Sequence, residues 1–236
     1  MREPNAEPDA DHTLDTRHST FGSPSLPPRR VLLQRSCFVL ARPLMRAYFR
    51  LRAEGLEQLP RGGPYLMTPN HVSMLDWAFL LGVLPEPLRF VVERPYYDHP
   101  VFGLGLRWNG AVGIHTDRAD LRAMRAARSI LSAGEPLILF PEGRISLTGR
   151  PQSGLPGVIF LAAALQVPIV PAAIRGAFES FPRWARVPRP RRVTVVFGKP
   201  LAPPPKASRE QQQRLADALM EHVGALLDDR PRVSPW

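Results

Sequence analysis

Strands alternating with helices between about residue 64 and residue 200 predict an α/β domain around a mostly parallel sheet flanked by helices. Two observations carry that expectation. Several strand-length runs are almost continuously apolar, as strands buried on both faces are: LRFVVE at 88–93, PLILF at 136–140, PIVPAAI at 168–174. The stretches between them have helical length and helical stop signals. An apolar content of 44% in 236 residues is enough for one domain with a real core.

The elements follow in order. Residues 64–69, PYLMTP, read as a short strand, and DWAFLLGVL at 76–84 as a helix. LRFVVE is the next strand, 100–108 a short helix, and AVGIH at 111–115 a further strand. The segment 119–133 is a helix with Asp120 near its start and Gly134 just past its end. PLILF, PIVPAAI and RRVTVVFG at 191–198 complete the strands, and 208–228 is an amphipathic helix. The run 151–174 has no charged residue and is long enough to suggest a membrane span. Gly154, Pro156, Gly157, Gln166, Pro168 and Pro171 argue instead for a buried helix over 157–165, a turn, and a buried strand. There is no internal repeat and no glycine-rich nucleotide fingerprint.

The ends of the chain read differently from its middle. Residues 1–28 are aperiodic and proline-rich and predict a disordered segment, without the apolar run of a secretory signal. Nothing around His12 and His18 supports a metal role, and the sole cysteine, Cys37, is read as packing. Residues 29–55 are expected to hold an amphipathic membrane-surface helix, centred on 31–52, with Arg35, Arg42, Arg46 and Arg50 near one face and a kink at Pro43. Such a helix can lie among anionic head groups, or pack on the domain with its arginines in water. The catalytic core is assigned to 56–204 and a C-terminal helix and tail to 205–236.

A net charge of +10 implies an anionic partner: nucleic acid, lipid head groups or a phosphorylated small molecule. Two polar clusters sit at predicted strand ends, where open α/β sheets gather their ligands. The first is Asn70-His71-Val72-Ser73-Met74-Leu75-Asp76. His71 suits a general base, and Asp76 in the first turn of a following helix would orient its ring. The second is Phe140-Pro141-Glu142-Gly143-Arg144-Ile145-Ser146. Here Gly143 permits a tight turn and Arg144 offers a planar fork for phosphate. Glu142 would orient that arginine or bind a substrate hydroxyl. Read blandly, each cluster is a structural turn, but two at one sheet edge favour a site.

These blocks resemble those of the glycerolipid acyltransferase family, which includes bacterial lysophosphatidate acyltransferases. His71 and Asp76, with four residues between them, are similar to its first block. Residues 110–118 resemble the second block, Phe140-Pro141-Glu142-Gly143 the third, and Val167-Pro168-Ile169-Val170-Pro171 the fourth. The resemblance covers about residues 48–200 and implies an O-acyltransferase acting on a lysophospholipid. His71 would be the base and Asp76 its support, with Asn70 and Ser73 supporting the pair. Arg118, Glu142, Gly143 and Arg144 would serve the acceptor phosphate, and Pro171 the acyl pocket or the structure around it. Where lysophosphatidate enzymes place a threonine after Pro-Glu-Gly, this chain has Arg144, a wording similar to relatives acting on lysophosphatidylethanolamine.

An acyl thioester is already activated, so no metal or redox cofactor is expected; acyl-CoA or acyl-carrier protein would be the co-substrate. Backbone N–H groups near the helix start after Ser73 are candidate oxyanion donors. Membrane phospholipid and lysophospholipid are the expected partners, at the cytoplasmic face of the membrane, peripherally or monotopically bound. A second basic cluster, Arg183, Arg186, Arg189, Arg191 and Arg192, would meet head groups or donor phosphates, or simply face water. No nucleic-acid motif accompanies the basic charge, so nucleic acid is not an expected partner. A non-catalytic membrane-surface protein with this fold is the remaining alternative.

Overall fold

The computed structural model describes residues 42–86, 88–100, 102–108, 110–114 and 119–228. The expected disordered segment and most of the expected membrane helix lie outside these residues, as do His115 through Arg118.

Seven strands form one sheet: β1 (Arg52–Glu54), β2 (Leu66–Pro69), β3 (Arg89–Glu93), β4 (Ala111–Ile114), β5 (Leu137–Ile138), β6 (Ile169–Arg175) and β7 (Thr194–Phe197). Their spatial order is β1-β7-β6-β2-β5-β3-β4. Every neighbouring pair is parallel except β6 with β7. Residues 42–48 form helix α1. It is followed by α2 (Asp76–Val83), α3 (Arg94–Tyr97), α4 (Phe102–Trp108), α5 (Ala119–Ser132), α6 (Pro156–Leu165), α7 (Ala177–Ser180) and α8 (Arg209–Leu227).

The helices cover both faces of the sheet, which is why its strands are apolar on both sides. Leu66 and Met67 on β2 are both fully buried and point to opposite layers. Met67 joins Phe79, Leu80, Leu84 and Phe197 in one core, with α2 and the residues after α1. Leu66 joins Leu137, Ile159, Ile169 and Leu219 in the other, under α5, α6 and α8. The helix ends follow local chemistry. Pro156 opens α6, and Gln166 closes it in the left-handed conformation at φ 53°. Ser208 and Gln211 form a reciprocal capping box at the start of α8.

The uncharged run 151–174 is α6 followed by β6, as its prolines suggest, and no helix among the described residues is long and apolar enough to cross a membrane. The N-terminal helix ends earlier than expected. Instead of running to residue 52 it stops at Tyr48; the chain turns through Arg50, at φ 45°, and Arg52–Glu54 pairs with β7. The free edge of β7 supplies the backbone partners that a charged Arg-Ala-Glu tripeptide needs to become a strand. PLILF keeps only Leu137 and Ile138 as ladder residues, although the Leu139 N–H still reaches the Met67 carbonyl at 3.0 Å.

Pro171 occupies an interior strand without breaking a ladder. Ile169 exchanges both backbone bonds with Leu201, and the Pro171 carbonyl accepts the Gly198 N–H at 2.8 Å. The missing donor therefore faces the stretch where residues 198–200 leave the ladder.

The turn from β6 into α7 depends on Gly176. Its φ is 78°, and an added Cβ would lie 2.2 Å from the Arg192 carbonyl oxygen. Gly176→Ala combines a left-handed backbone with a clash against main chain that cannot swing away. We expect it to cost about 2–3 kcal/mol of folding free energy, read as a fall in Tm of roughly 5–10 °C by heat denaturation.

Candidate functional site

The sheet brings the two polar clusters together because β2 and β5 are parallel neighbours. Both clusters leave the sheet at the same edge. The first runs from Asn70 to the start of α2, where Asp76 is the first helical residue. A carboxylate there meets the positive end of the helix dipole.

Asp76 is completely buried. Its Oδ2 accepts three hydrogen bonds: from His71 Nδ1 at 2.8 Å, from the Val72 N–H at 2.7 Å and from the Ser73 N–H at 2.8 Å. Its Oδ1 has no partner among the described residues. A carboxylate only accepts, so the proton of the neutral imidazole is on Nδ1 and Nε2 carries the lone pair. His71 keeps about a fifth of its side-chain surface exposed, and its ring stacks on Phe140 with centroids 3.9 Å apart and planes 20° from parallel.

The second cluster holds the first in place. Glu142 Oε1 accepts the His71 backbone N–H at 2.7 Å. Its Oε2 accepts the Gln152 N–H at 3.0 Å and Gln152 Nε2 at 3.1 Å. The His71 carbonyl in turn accepts the Ser146 N–H at 2.8 Å. Glu142 is buried, and burial pushes its carboxyl above the ordinary glutamate value while the bonds from His71 and Gln152 pull the other way. Gly143 turns at φ 66°, and an added Cβ would come within 2.6 Å of the Leu155 side chain. Arg144 is exposed and donates from Nε to Gln152 Oε1 at 3.0 Å, so Gln152, not a direct ion pair, joins it to Glu142.

Asn70 and Ser73 are buried and bond away from the ring. Asn70 Oδ1 accepts the Ile174 N–H at 2.7 Å, and Ser73 Oγ donates to the Phe181 carbonyl at 2.7 Å. They tie the His71 segment to β6 and to the loop after α7. Of the amides near the start of α2 expected as oxyanion donors, those of Leu75 and Asp76 are engaged within the chain. The N–H groups of His71, Val72 and Ser73 also have acceptors there.

His71 stands at a cavity of about 530 Å³. Its walls are largely apolar: Met74, Trp77, Phe90, Leu106, Met124 and Val158 among them. Gly143 and three cations, Arg144, Arg183 and Arg209, also line it, together with the carboxylate Glu93. Pro171 is not part of this lining; it is buried within the sheet. Arg118 lies outside the described residues. Sequence reasoning flagged Arg183 only within a basic cluster and missed Gln152 and Arg209. No motif announces either one: Gln152 reaches back to Glu142 through the fold of the loop between them, and Arg209 comes from a distant part of the chain. Among the described residues no cluster of three or more His, Cys, Asp or Glu side chains has metal-binding geometry.

The arrangement predicts a single neutral tautomer. Nitrogen NMR of histidine-labelled protein, with the His71 signals assigned by their loss in H71A, should show a protonated Nδ1 and an unprotonated Nε2. The reverse pattern would mean that the 2.8 Å contact is not a bond donated to Asp76.

Comparison with known proteins supplies the relatives. A family model described as Acyltransferase matches residues 50–175, just over half of the chain. A 1-acyl-sn-glycerol-3-phosphate acyltransferase of Chlamydomonas reinhardtii is 29% identical over 184 residues, covering 76% of this chain and 54% of that protein. One from Helicobacter pylori is 27% identical over 191 residues, covering 76% and 79%. The chain spans about half the length of several of the curated relatives it matches. The crystal structure of the 1-acyl-sn-glycerophosphate (LPA) acyltransferase PlsC from Thermotoga maritima shares the fold, with a TM-score of 0.68 at 23% identity over 86% of this chain and 84% of that one. With the matched segment running through both polar clusters, the chain belongs to the glycerolipid acyltransferase family.

Proposed function

We propose that the chain transfers a fatty acyl group from acyl-CoA or acyl-carrier protein to the free hydroxyl of a lysophospholipid, with 1-acyl-sn-glycerol-3-phosphate as acceptor and phosphatidic acid as product. The observation that carries this reading is the 2.8 Å bond between His71 Nδ1 and Asp76 Oδ2 on the wall of an apolar cavity that arginines also line. The relatives named above are described as acting on that acceptor.

The chemistry follows from the free lone pair. His71 Nε2 takes the hydroxyl proton as the acceptor oxygen attacks the thioester carbonyl. A C–O bond forms, the C–S bond breaks, and the imidazolium returns the proton to the leaving thiolate. Asp76 balances the positive ring while it lasts and fixes its orientation. Glu142 is a positioning residue in this scheme: it holds the His71 main chain through a 2.7 Å bond. Arg144 grips the acceptor phosphate, and Arg118 shares the task. The apolar cavity takes the acyl chain. The protein works peripherally at the cytoplasmic face of a membrane.

A second acceptor, lysophosphatidylethanolamine or an amino-acid lysolipid, is favoured by two observations. Arg144 directly follows Gly143, and the Glu93 carboxylate on the cavity wall suits an ammonium head group. A panel of lysolipids offered with each donor decides between the acceptors.

Two variants test the assignment. H71A should lower acyl transfer ~100-fold or more, since general-base catalysis is typically worth that much, in a protein that still folds, with a lower Tm because the buried Asp76 loses one of its three donors. Residual activity above about a tenth of wild type removes His71 as the base. R144K keeps the charge and loses the fork. It should raise the KM for the lysolipid roughly tenfold, the worth of one charge-assisted hydrogen bond, with little change for the thioester. A role confined to the Gln152 bond predicts a lower Tm and equal effects on both substrates.

A further inference from the structure

Gln152 stands between the two working side chains of the second cluster. Its Nε2 donates to Glu142 Oε2 at 3.1 Å, and its Oε1 accepts from Arg144 Nε at 3.0 Å. A carboxylate only accepts and a guanidinium only donates, so this amide has a single orientation. One side chain thus sets both the carboxylate that holds the His71 main chain and an arginine on the cavity wall. Residues 151–155 have no regular secondary structure of their own. The Leu155 N–H closes their far end on the Pro141 carbonyl at 2.8 Å, and the rest of their support comes from outside the loop.

Helix α8 supplies that support. Ser153 Oγ donates to Asp217 Oδ1. Gln213 Nε2 donates to the Gly154 carbonyl at 2.8 Å and to the same Asp217 oxygen at 3.1 Å. The approach is close: a Cβ added to Gly154 would lie 2.8 Å from the Ala216 carbonyl oxygen, so the loop rests on the backbone of the helix. The helix is fixed independently of the loop. Ala216 and Leu219 belong to the second core, and Met220, Val223 and Leu226 pack on Ala173 and Val196 of the sheet. Arg175 Nε, at the end of β6, donates to the Leu226 carbonyl at 3.0 Å. Aspartate is a weak helix former in mid-helix, and the apolar packing of α8 makes no use of Asp217.

We infer that α8 is a working part of the site, with Gln213 and Asp217 as its positioning residues. They hold residues 153 and 154, which places Gln152, which places Glu142 and Arg144 together. Neither side chain lines the cavity, so both act through the loop and not on a substrate. The family match ends at residue 175, ahead of α8, so this support comes from outside the matched segment. A rigid helix anchored in two cores is a suitable reference for a loop that must hold a base and an anion-binding arginine at fixed separation. The effect on turnover rests on the function proposed above; the tether itself does not.

The test uses the full chain and two independent readouts. The first is the exchange with water of the Arg144 Nε–H proton, followed by NMR and assigned by its loss in R144K. D217A should speed that exchange several-fold, because Gln152 no longer stays in line to accept it. S153A cuts the same bond from the loop side and should do the same. The second readout is kinetic. D217A should lower kcat/KM for the lysolipid roughly tenfold, the worth of one charge-assisted hydrogen bond, with the thioester KM little changed. D217N should recover most of both effects, since an amide oxygen accepts the same two bonds. In a Q152A background D217A should cost almost nothing further. Wild-type exchange at Arg144 in both D217A and S153A overturns the inference. A kinetic loss in D217A that adds in full to that of Q152A reduces α8 to packing and overturns it as well. So does a D217N variant as impaired as D217A, which would put the effect in the charge and not in the tether. Absence of acyl transfer by wild type from any donor would sink the proposed function, while the exchange measurement still decides the tether.

Discussion

One carboxylate oxygen, Oδ2 of Asp76, gathers the imidazole of His71 and the backbone N–H groups of Val72 and Ser73 at the mouth of α2. Those three bonds fix the conformation of the whole connection from β2 to α2. An isolated buried charge is costly, and this one is tolerated because it accepts three donors and sits at the positive end of a helix. The same bonds that make the charge tolerable also set the ring. The local fold and the chemistry of the site are thus one arrangement, and a side chain that satisfied only one of them would not replace Asp76.

A second carboxylate repeats the device from the neighbouring strand. Glu142 accepts the His71 N–H and both nitrogens offered by Gln152, so the loop after β5 grips the loop after β2. The grip needs the strand order β6-β2-β5, in which parallel neighbours deliver their carboxyl ends side by side. Asn70 extends the same logic to β6 through Ile174, and Ser73 to the loop beyond α7 through Phe181. His71 is held from three parts of the sheet edge by main-chain bonds, which leaves its Nε2 as the part of the ring without a structural duty.

Much of this was legible in the sequence, and the exceptions have identifiable causes. β2, β3, β6 and β7 announce themselves because strands covered on both faces must be apolar throughout. α6 and β6 separate correctly because Gly154, Pro156 and Pro168 punctuate an otherwise uniform apolar run. His71 and Asp76 are legible as a pair because a strand end followed by a helix start brings such a spacing together. β1 is not legible, since Arg-Ala-Glu has no strand character apart from the edge of β7 that receives it. Glu142 is visible as a site residue, but the identity of its partners is hidden. Backbone N–H groups donate two of its three bonds, and they leave no mark on side-chain pattern. Gln152 is hidden because its place depends on the path of the loop after β5, and Arg209 because its place depends on how a distant helix packs.

The two borders of the sheet are a three-residue strand and a four-residue strand, β1 and β4. Each exposes few unpaired amides, and β1 carries Arg52 and Glu54, the latter 3.5 Å from Arg175 Nη1. A border that short and that charged is a poor template for another chain. Proteins gathered on a two-dimensional surface meet one another far more often than they do in bulk water, and an open sheet would normally turn such crowding into strand-to-strand aggregation. The short, charged border at β1 disfavours such polymerisation when the molecule is concentrated on a film.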